Sequence, residues 1–297
     1  MAFDRQSGKI ILLVTGPEAW ETWAFDVCTN TWDRMRPNRH PGSGEGGTGW
    51  IQLAYDADSD LTIGTFPDGT VWTYDDEADA WTKHGDTPVP GPFRLVYDPV
   101  SGLVVGQLIE SRIAKVWTYD VETDTWTSVT RSDAPTLGSD PDHGLLAYDG
   151  SVDRVIAYNG LSYGTRLLDL RAGTWSGSAA RTPLVNTGWF ASGGEIAYDE
   201  AGEQTVVFSD GLVIAYSARS DRWEILDGRS GDVPAGLTAR IGHWMVYDSS
   251  NARLVVYGRG YRTDTSWVQA DDVLGFDPAT REWIVLLEAS DVRPDSP

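Results

Sequence analysis

Apolar residues along this chain fall in short runs separated by polar turns. From His243 to Leu286, "HWMVYD", "RLVVYGR", "DVLGFD" and "EWIVL" alternate with "SSNA", "GYRTDTSWVQAD" and "PATR". Short runs rich in Val, Ile, Tyr and Trp, bounded by Gly, Asp, Ser and Pro, predict β-strands joined by turns and loops. No long segment carries the 3.6-residue period of an amphipathic helix.

The runs repeat. An aromatic–Asp pair recurs at Phe3-Asp4, Tyr55-Asp56, Tyr97-Asp98, Tyr148-Asp149, Tyr198-Asp199 and Tyr247-Asp248. A second mark falls at Phe25, Tyr74, Tyr119, Leu168, Tyr216 and Phe276. Seven residues after each of these stands a tryptophan: Trp32, Trp81, Trp126, Trp175, Trp223 and Trp283. Four strands in each of six units, at about 50 residues per unit, predict an all-β, six-bladed β-propeller of four-stranded antiparallel blades. The whole chain, 1–297, reads as one such domain. Its blade marks lie near 3–36, 50–84, 92–130, 143–178, 193–227 and 241–288.

The repeated residues read as structural. A flat Trp ring covers the gap between blades and reaches a hydrogen-bond partner with its N–H. The Asp after each aromatic opens a hairpin turn, where its carboxylate accepts from the backbone two residues on. "DADSD" (Asp56 to Asp60) hints at calcium but lacks the central Gly and closing Glu of a calcium loop. The plain turn is the better reading.

A Tyr-Asp strand, a second apolar strand, a third ending in an aromatic–Asp mark and a Trp opening the fourth together resemble the kelch repeat, as in the central domain of galactose oxidase. The resemblance covers nearly the whole chain. It departs where the family has Gly-Gly after the second strand: Val14-Thr15-Gly16, Asn159-Gly160, Ser209-Asp210 and Gly258-Arg259 stand there. The resemblance implies a propeller that binds a ligand or a protein, and relatives that include oxidases, mutarotases and specifier proteins. The copper-oxidase chemistry is not expected, because Cys28 lies in a hairpin away from any His. The specifier proteins' iron motif E-x-x-x-D-x-x-x-H begins at Glu195 and Asp199, but Glu203 stands where its His belongs.

Ring closure has three readings. Blade 1 opens on "MAFD", where others have "WIQLAYD" or "GHWMVYD". The ring closes by contact alone, or the tail supplies strand, or residues preceding this sequence do.

Charge narrows the partners. With 44 Asp plus Glu against 23 Lys plus Arg, the formal charge is -21. Such a field repels nucleic acid and anionic lipid. No run approaches the roughly 18 apolar residues needed to span a bilayer, and no secretory cleavage pattern follows the N-terminus. A soluble protein is expected, with its compartment undetermined. Cys28, the single cysteine, permits no internal disulfide.

Connections from strand two to three, and from strand four to the next blade, open on one face. They are long, irregular and proline-rich, as in "MRPNRHPGSGEGGTGW" and "GDTPVPGPF". Such loops carry binding residues. Trp20, Trp50, Trp189, Trp244 and Trp267 fall outside the repeat and on this side. So do His40, His84, His143 and His243, and the arginines Arg39, Arg94, Arg112, Arg166, Arg181, Arg240, Arg259 and Arg262. "ARIGHWMVYD" resembles the kelch entry to the first strand, and the resemblance implies a structural role for His243 beside the binding one. No H-x-H or H-x-x-E spacing adds a third ligand to His143 and His243, so no metal or other cofactor is expected.

Three residues before the aromatic–Asp pair stand Gln52, Arg94, Leu145, Glu195 and Trp244. They are expected to form one ring of the central channel. The site expectation follows. Trp50, Gln52, Arg112, Arg166, Trp189, His243, Trp244, Arg259 and Trp267 would bind a glycan or a carboxylate-bearing small molecule. Trp faces stack on sugars, and Arg forks chelate carboxylates. As an enzyme, an isomerase, lyase or hydrolase, the chain would use Glu195 or His143 as acid or base and Arg94 as the charge stabiliser. A third reading is a scaffold that uses this face for protein contact.

Overall fold

The computed structural model describes residues 1–15, 20–41, 51–91, 93–110, 113–129, 144–159, 164–183, 194–209, 211–228, 240–258, 260–262, 267–288 and 294. Six four-stranded antiparallel meanders form the blades of a ring. Blade 1 runs Ala2–Asp4, Lys9–Thr15, Trp20–Asp26 and Thr31–Arg34; blade 2 runs Gln52–Asp56, Leu61–Thr65, Thr70–Asp75 and Ala80–Asp86. Blade 3 runs Arg94–Asp98, Leu103–Glu110, Ile113–Asp120 and Thr125–Ser128; blade 4 runs Leu145–Asp149, Arg154–Asn159, Gly164–Asp169 and Thr174–Gly177. Blade 5 runs Glu195–Asp199, Gln204–Ser209, Leu212–Ser217 and Arg222–Gly228; blade 6 runs Trp244–Asp248, Arg253–Tyr257, Val273–Asp277 and Glu282–Leu287. The first strand of each blade is innermost. Among the described residues no helix is long and apolar enough to cross a membrane.

The hairpins share one turn chemistry. The Asp that ends a strand turns its carboxylate back on the next amides. Asp4 Oδ1 accepts from Gln6 N–H (2.9 Å) and Ser7 N–H (3.1 Å). Asp26 does the same with Cys28 and Thr29, Asp248 with Ser250 and Asn251, and Asp277 with Ala279 and Thr280. The fourth residue after the turn-opening position then takes a left-handed conformation, with φ between +47° and +71°. That position holds Gly8, Asn30, Asp60, Asp79, Gly102, Asp124, Asp153, Gly173, Glu203, Asp221, Ala252 and Arg281. Gly, Asn and Asp tolerate this region; Glu203, Ala252 and Arg281 bear its steric cost. Where Asp fills it, the tyrosine just before the turn donates to it: Tyr55 to Asp60 (2.7 Å), Tyr74 to Asp79, Tyr119 to Asp124, Tyr148 to Asp153 and Tyr216 to Asp221.

The seven-residue offset to tryptophan is a register. Phe25 pairs Trp32 directly across the hairpin, and so do Tyr74 and Trp81, Tyr119 and Trp126, Leu168 and Trp175, Tyr216 and Trp223, and Phe276 and Trp283. Each Trp ring then leans on the preceding blade. Trp32 packs on Tyr257 of blade 6, Trp223 on Tyr158 of blade 4, and Trp283 on Phe208 of blade 5. Trp81 donates to Thr22 of blade 1 (2.8 Å) and Trp283 to Asp227 of blade 5 (2.9 Å). The expected N–H partner is absent for Trp32, Trp126 and Trp223, whose indole nitrogens are buried among the described residues without one. There the ring serves packing alone.

Among the described residues, blades 1 and 6 meet by side-chain contact. Blade 1 is built wholly from the N-terminal segment and blade 6 wholly from the C-terminal one. Phe3, Ile10, Leu12, Trp23, Phe25 and Trp32 share a core with Val246, Val255, Tyr257 and Val273. Arg253 donates to the Val27 carbonyl (3.0 Å), and the Tyr257 hydroxyl donates to the Pro294 carbonyl. One expected loop is not a loop: within "GYRTDTSWVQAD", Gly260–Arg262 pairs antiparallel with Trp267–Gln269, and Arg240–Ile241 joins them as a three-stranded sheet. The Tyr, Val and Trp of this segment favour strand, but it lies outside the repeat, so no neighbouring blade supplies its register.

Candidate functional site

The innermost strands surround a cavity of about 470 Å³ along the ring axis. Its polarity changes along its length because each strand contributes the same sequence positions at the same depth. The end reached by the inter-blade connections has Gln52, Arg94, Leu145, Glu195 and Trp244 around it. Below them, Ala54, Val96, Ala147, Ala197 and Val246 form a narrow apolar waist. At the hairpin end stand Tyr55, Tyr97, Tyr148, Tyr198 and Tyr247. There Arg5 of blade 1 pairs with Glu200 of blade 5, so an ion pair spans the exit past blade 6.

The charged groups at the long-loop end sense one another. Glu195 is 7% exposed. Burial pushes its carboxyl above the usual carboxylate range, and Arg94 and the Met1 α-ammonium act against that rise. The Met1 amine also lines the cavity; burial lowers it to about 6, against the pull of Glu195.

Trp244 is held flat. It pairs across the hairpin with Tyr257, and the two rings are stacked at 6.3 Å between centroids and 9° between planes. Gly258 lies beneath, at φ +87°, and a Cβ there would come within 2.7 Å of the indole. A larger residue at Gly258 would displace the ring.

Of the residues expected to bind or react, Gln52, Arg94, Glu195 and Trp244 are brought together in this channel. Two described residues are not. Arg166 lies on the third strand of blade 4, opposite Gly177 and Ala157, two strands out from the axis. Its side chain fills the space that glycine leaves, since a Cβ on Gly177 would lie against the guanidinium. His243 is fully buried against Phe208, with ring centroids 4.4 Å apart, in the seam between blades 5 and 6. Trp20, unexplained by the repeat, packs edge-on against Phe66 in the core between blades 1 and 2. His84 hydrogen-bonds Thr73 (2.9 Å), and Arg39 lies 5.8 Å over the Trp72 ring. Trp50, Arg112, His143, Trp189 and Arg259 lie outside the described residues. Trp267 is placed by its strand alone. Among the described residues no group of three His, Cys, Asp or Glu is placed to hold a metal.

Sequence reasoning missed the hairpin end of the channel. Its tyrosines also join blades: Tyr55 reaches Asp4 of the preceding blade, Tyr148 reaches Asp98 and Tyr247 reaches Asp199. The signal was present in the Tyr-Asp pairs, whose tyrosine and aspartate serve opposite neighbours. Blade 1 has Phe3 at the tyrosine position, and there Asp248 of blade 6 is paired by Arg253 instead (3.1 Å).

No family model matches the chain, and no curated protein matches it. Among solved structures, a chain of the nidogen/laminin complex is similar over 76% of this chain and 77% of its own, with a TM-score of 0.54 and 13% identity. That similarity is one of fold, a propeller.

Proposed function

We propose that the long-loop end of the central channel binds a carboxylate-bearing small molecule or an acidic glycan. The observation that carries this reading is the arrangement of Arg94 and Trp244 about one cavity. They stand on blades 3 and 6, opposite each other in a ring of six, with Gln52 and Glu195 on another diameter. A guanidinium chelates a carboxylate through parallel N–H bonds. The stacked indole offers a fixed apolar face to a sugar ring, and Gln52 and Glu195 take hydroxyl groups at the sides.

The repeat residues support a kelch-type ancestry for the scaffold, with its second-strand Gly-Gly replaced. Calorimetric titration with D-galacturonate and with D-galactose tests the reading. The acid binds at least about tenfold more tightly, which corresponds to one charge-assisted pair. Arg94→Ala removes that preference, and Trp244→Ala weakens both sugars. Equal binding of the two sugars by the unaltered protein, or binding untouched by Arg94→Ala, overturns it.

A protein partner on the same face is the second reading, favoured by the similarity to a chain found in a nidogen/laminin complex. It requires retention of a partner that neither Arg94→Ala nor galacturonate displaces.

A further inference from the structure

We infer that the channel end is a lyase site for uronic-acid glycosides, in which Glu195 removes the proton beside the carboxylate that Arg94 holds. The inference rests on the ligand reading above and names its substrate class and reaction.

The number and placement of carboxyl groups separate the reactions open to a Glu/Arg site. Glycoside hydrolysis through paired carboxyl groups needs two of them flanking the bond, about 5–9.5 Å apart. Among the described residues, two carboxyl-bearing side chains, Glu195 and Glu200, line this cavity. Glu200 lies at the opposite end, in its ion pair with Arg5. Epimerisation next to a carboxylate through two bases needs one on each face of the carbon. A β-elimination needs one base, one cation on the carboxylate and a leaving group on the adjacent carbon. Glu195 and Arg94 supply the first two, and Trp244 seats the ring that bears the third.

The chemistry balances within the substrate. In a 4-linked uronic acid, C5 carries both the carboxylate and a proton, and C4 carries the glycosidic oxygen. Glu195, as carboxylate, takes the C5 proton. The C5–H electron pair becomes the C4=C5 double bond as the C4–O bond breaks. The departing oxygen takes a proton, from the Glu195 carboxyl when both groups leave on one side of the ring, or from water. No net oxidation or reduction occurs.

The difficulty of the step is the second negative charge that grows on the carboxylate as C5 loses its proton. A guanidinium on that carboxylate offsets the charge where it develops. A base must also have a proton affinity nearer to neutrality than an ordinary carboxylate has. Burial moves Glu195 in that direction, while Arg94 keeps its ionised form accessible.

The test uses the full chain with trigalacturonate, an alginate trisaccharide and a chondroitin tetrasaccharide. Ultraviolet absorbance of the conjugated C4=C5 carboxylate follows the reaction, and calorimetry follows binding. For one of these sugars absorbance rises in proportion to protein. Glu195→Gln lowers that rate at least about a hundredfold, the scale of losing a general base, while still binding the sugar. Thermal unfolding of the variant checks that it is folded. Binding without any gain in absorbance overturns the lyase inference and leaves the ligand reading standing. New reducing ends without absorbance mean hydrolysis and overturn it as well. Undiminished turnover in folded Glu195→Gln removes Glu195 as the base, and failure of all three sugars to bind overturns both readings.

Discussion

The indole N–H of Trp81 in blade 2 donates to the hydroxyl of Thr22 in blade 1 across a distance of 2.8 Å, in a fully buried contact. The bond ties the outer strand of one blade to the third strand of its neighbour. At the same position Trp32, Trp126 and Trp223 make no such bond among the described residues.

Replacing Trp81 with Phe therefore destabilises the propeller more than the same change at Trp126. The expected loss at Trp81 is about 2–3 kcal/mol, from lost packing and a stranded buried hydroxyl. At Trp126 only the packing part is lost. Denaturant unfolding of the two variants measures the difference, and equal losses would show that the bond to Thr22 contributes nothing.

Ala252 occupies the left-handed turn position of blade 6 at φ +52°. Ala252→Gly removes the steric clash at that φ and should raise stability by about 1 kcal/mol. Changing Gly102, at φ +70° in the equivalent turn of blade 3, to Ala should cost a similar amount. Its added Cβ would also lie 2.9 Å from Asp58. Thermal melts that move both variants the same way would contradict the shared turn.

Glu195 gives stability a pH dependence of known sign. Its carboxyl is raised above the ordinary value in the folded state, chiefly by burial. The folded state therefore holds the proton more tightly than the unfolded state. Its contribution is most favourable below the ordinary carboxylate range and is lost as pH rises through the raised value. Glu195→Gln keeps the shape and removes the titration. The variant should gain stability relative to the parent as pH increases from that range towards neutrality and above. A difference in melting temperature that stays flat with pH would mean that Glu195 titrates normally.

The fold was legible because its signals are registers. A four-residue turn places Phe25 opposite Trp32 and Tyr74 opposite Trp81, so the spacing of seven follows from hairpin geometry and recurs wherever that geometry does. The channel ring was legible for the same reason: Gln52, Arg94, Leu145, Glu195 and Trp244 share one offset from the turn, and hence one depth. Arg166 was misplaced because residence on the long-loop side does not fix the distance from the axis; its strand is third, not first. The sheet made by Arg240–Ile241, Gly260–Arg262 and Trp267–Gln269 was missed because, among the described residues, it occurs in one blade only. The Arg5–Glu200 pair joins residues on blades that are not neighbours, and nothing periodic marks such a contact.

On the proposed function, a ligand sits at the long-loop end of the channel. A crystal structure of the protein soaked with D-galacturonate tests it most directly. The sugar is expected at that end, with its carboxylate on the Arg94 guanidinium and its ring against Trp244. A sugar bound elsewhere on the protein, or a channel end left empty at a concentration that saturates binding in solution, would contradict it.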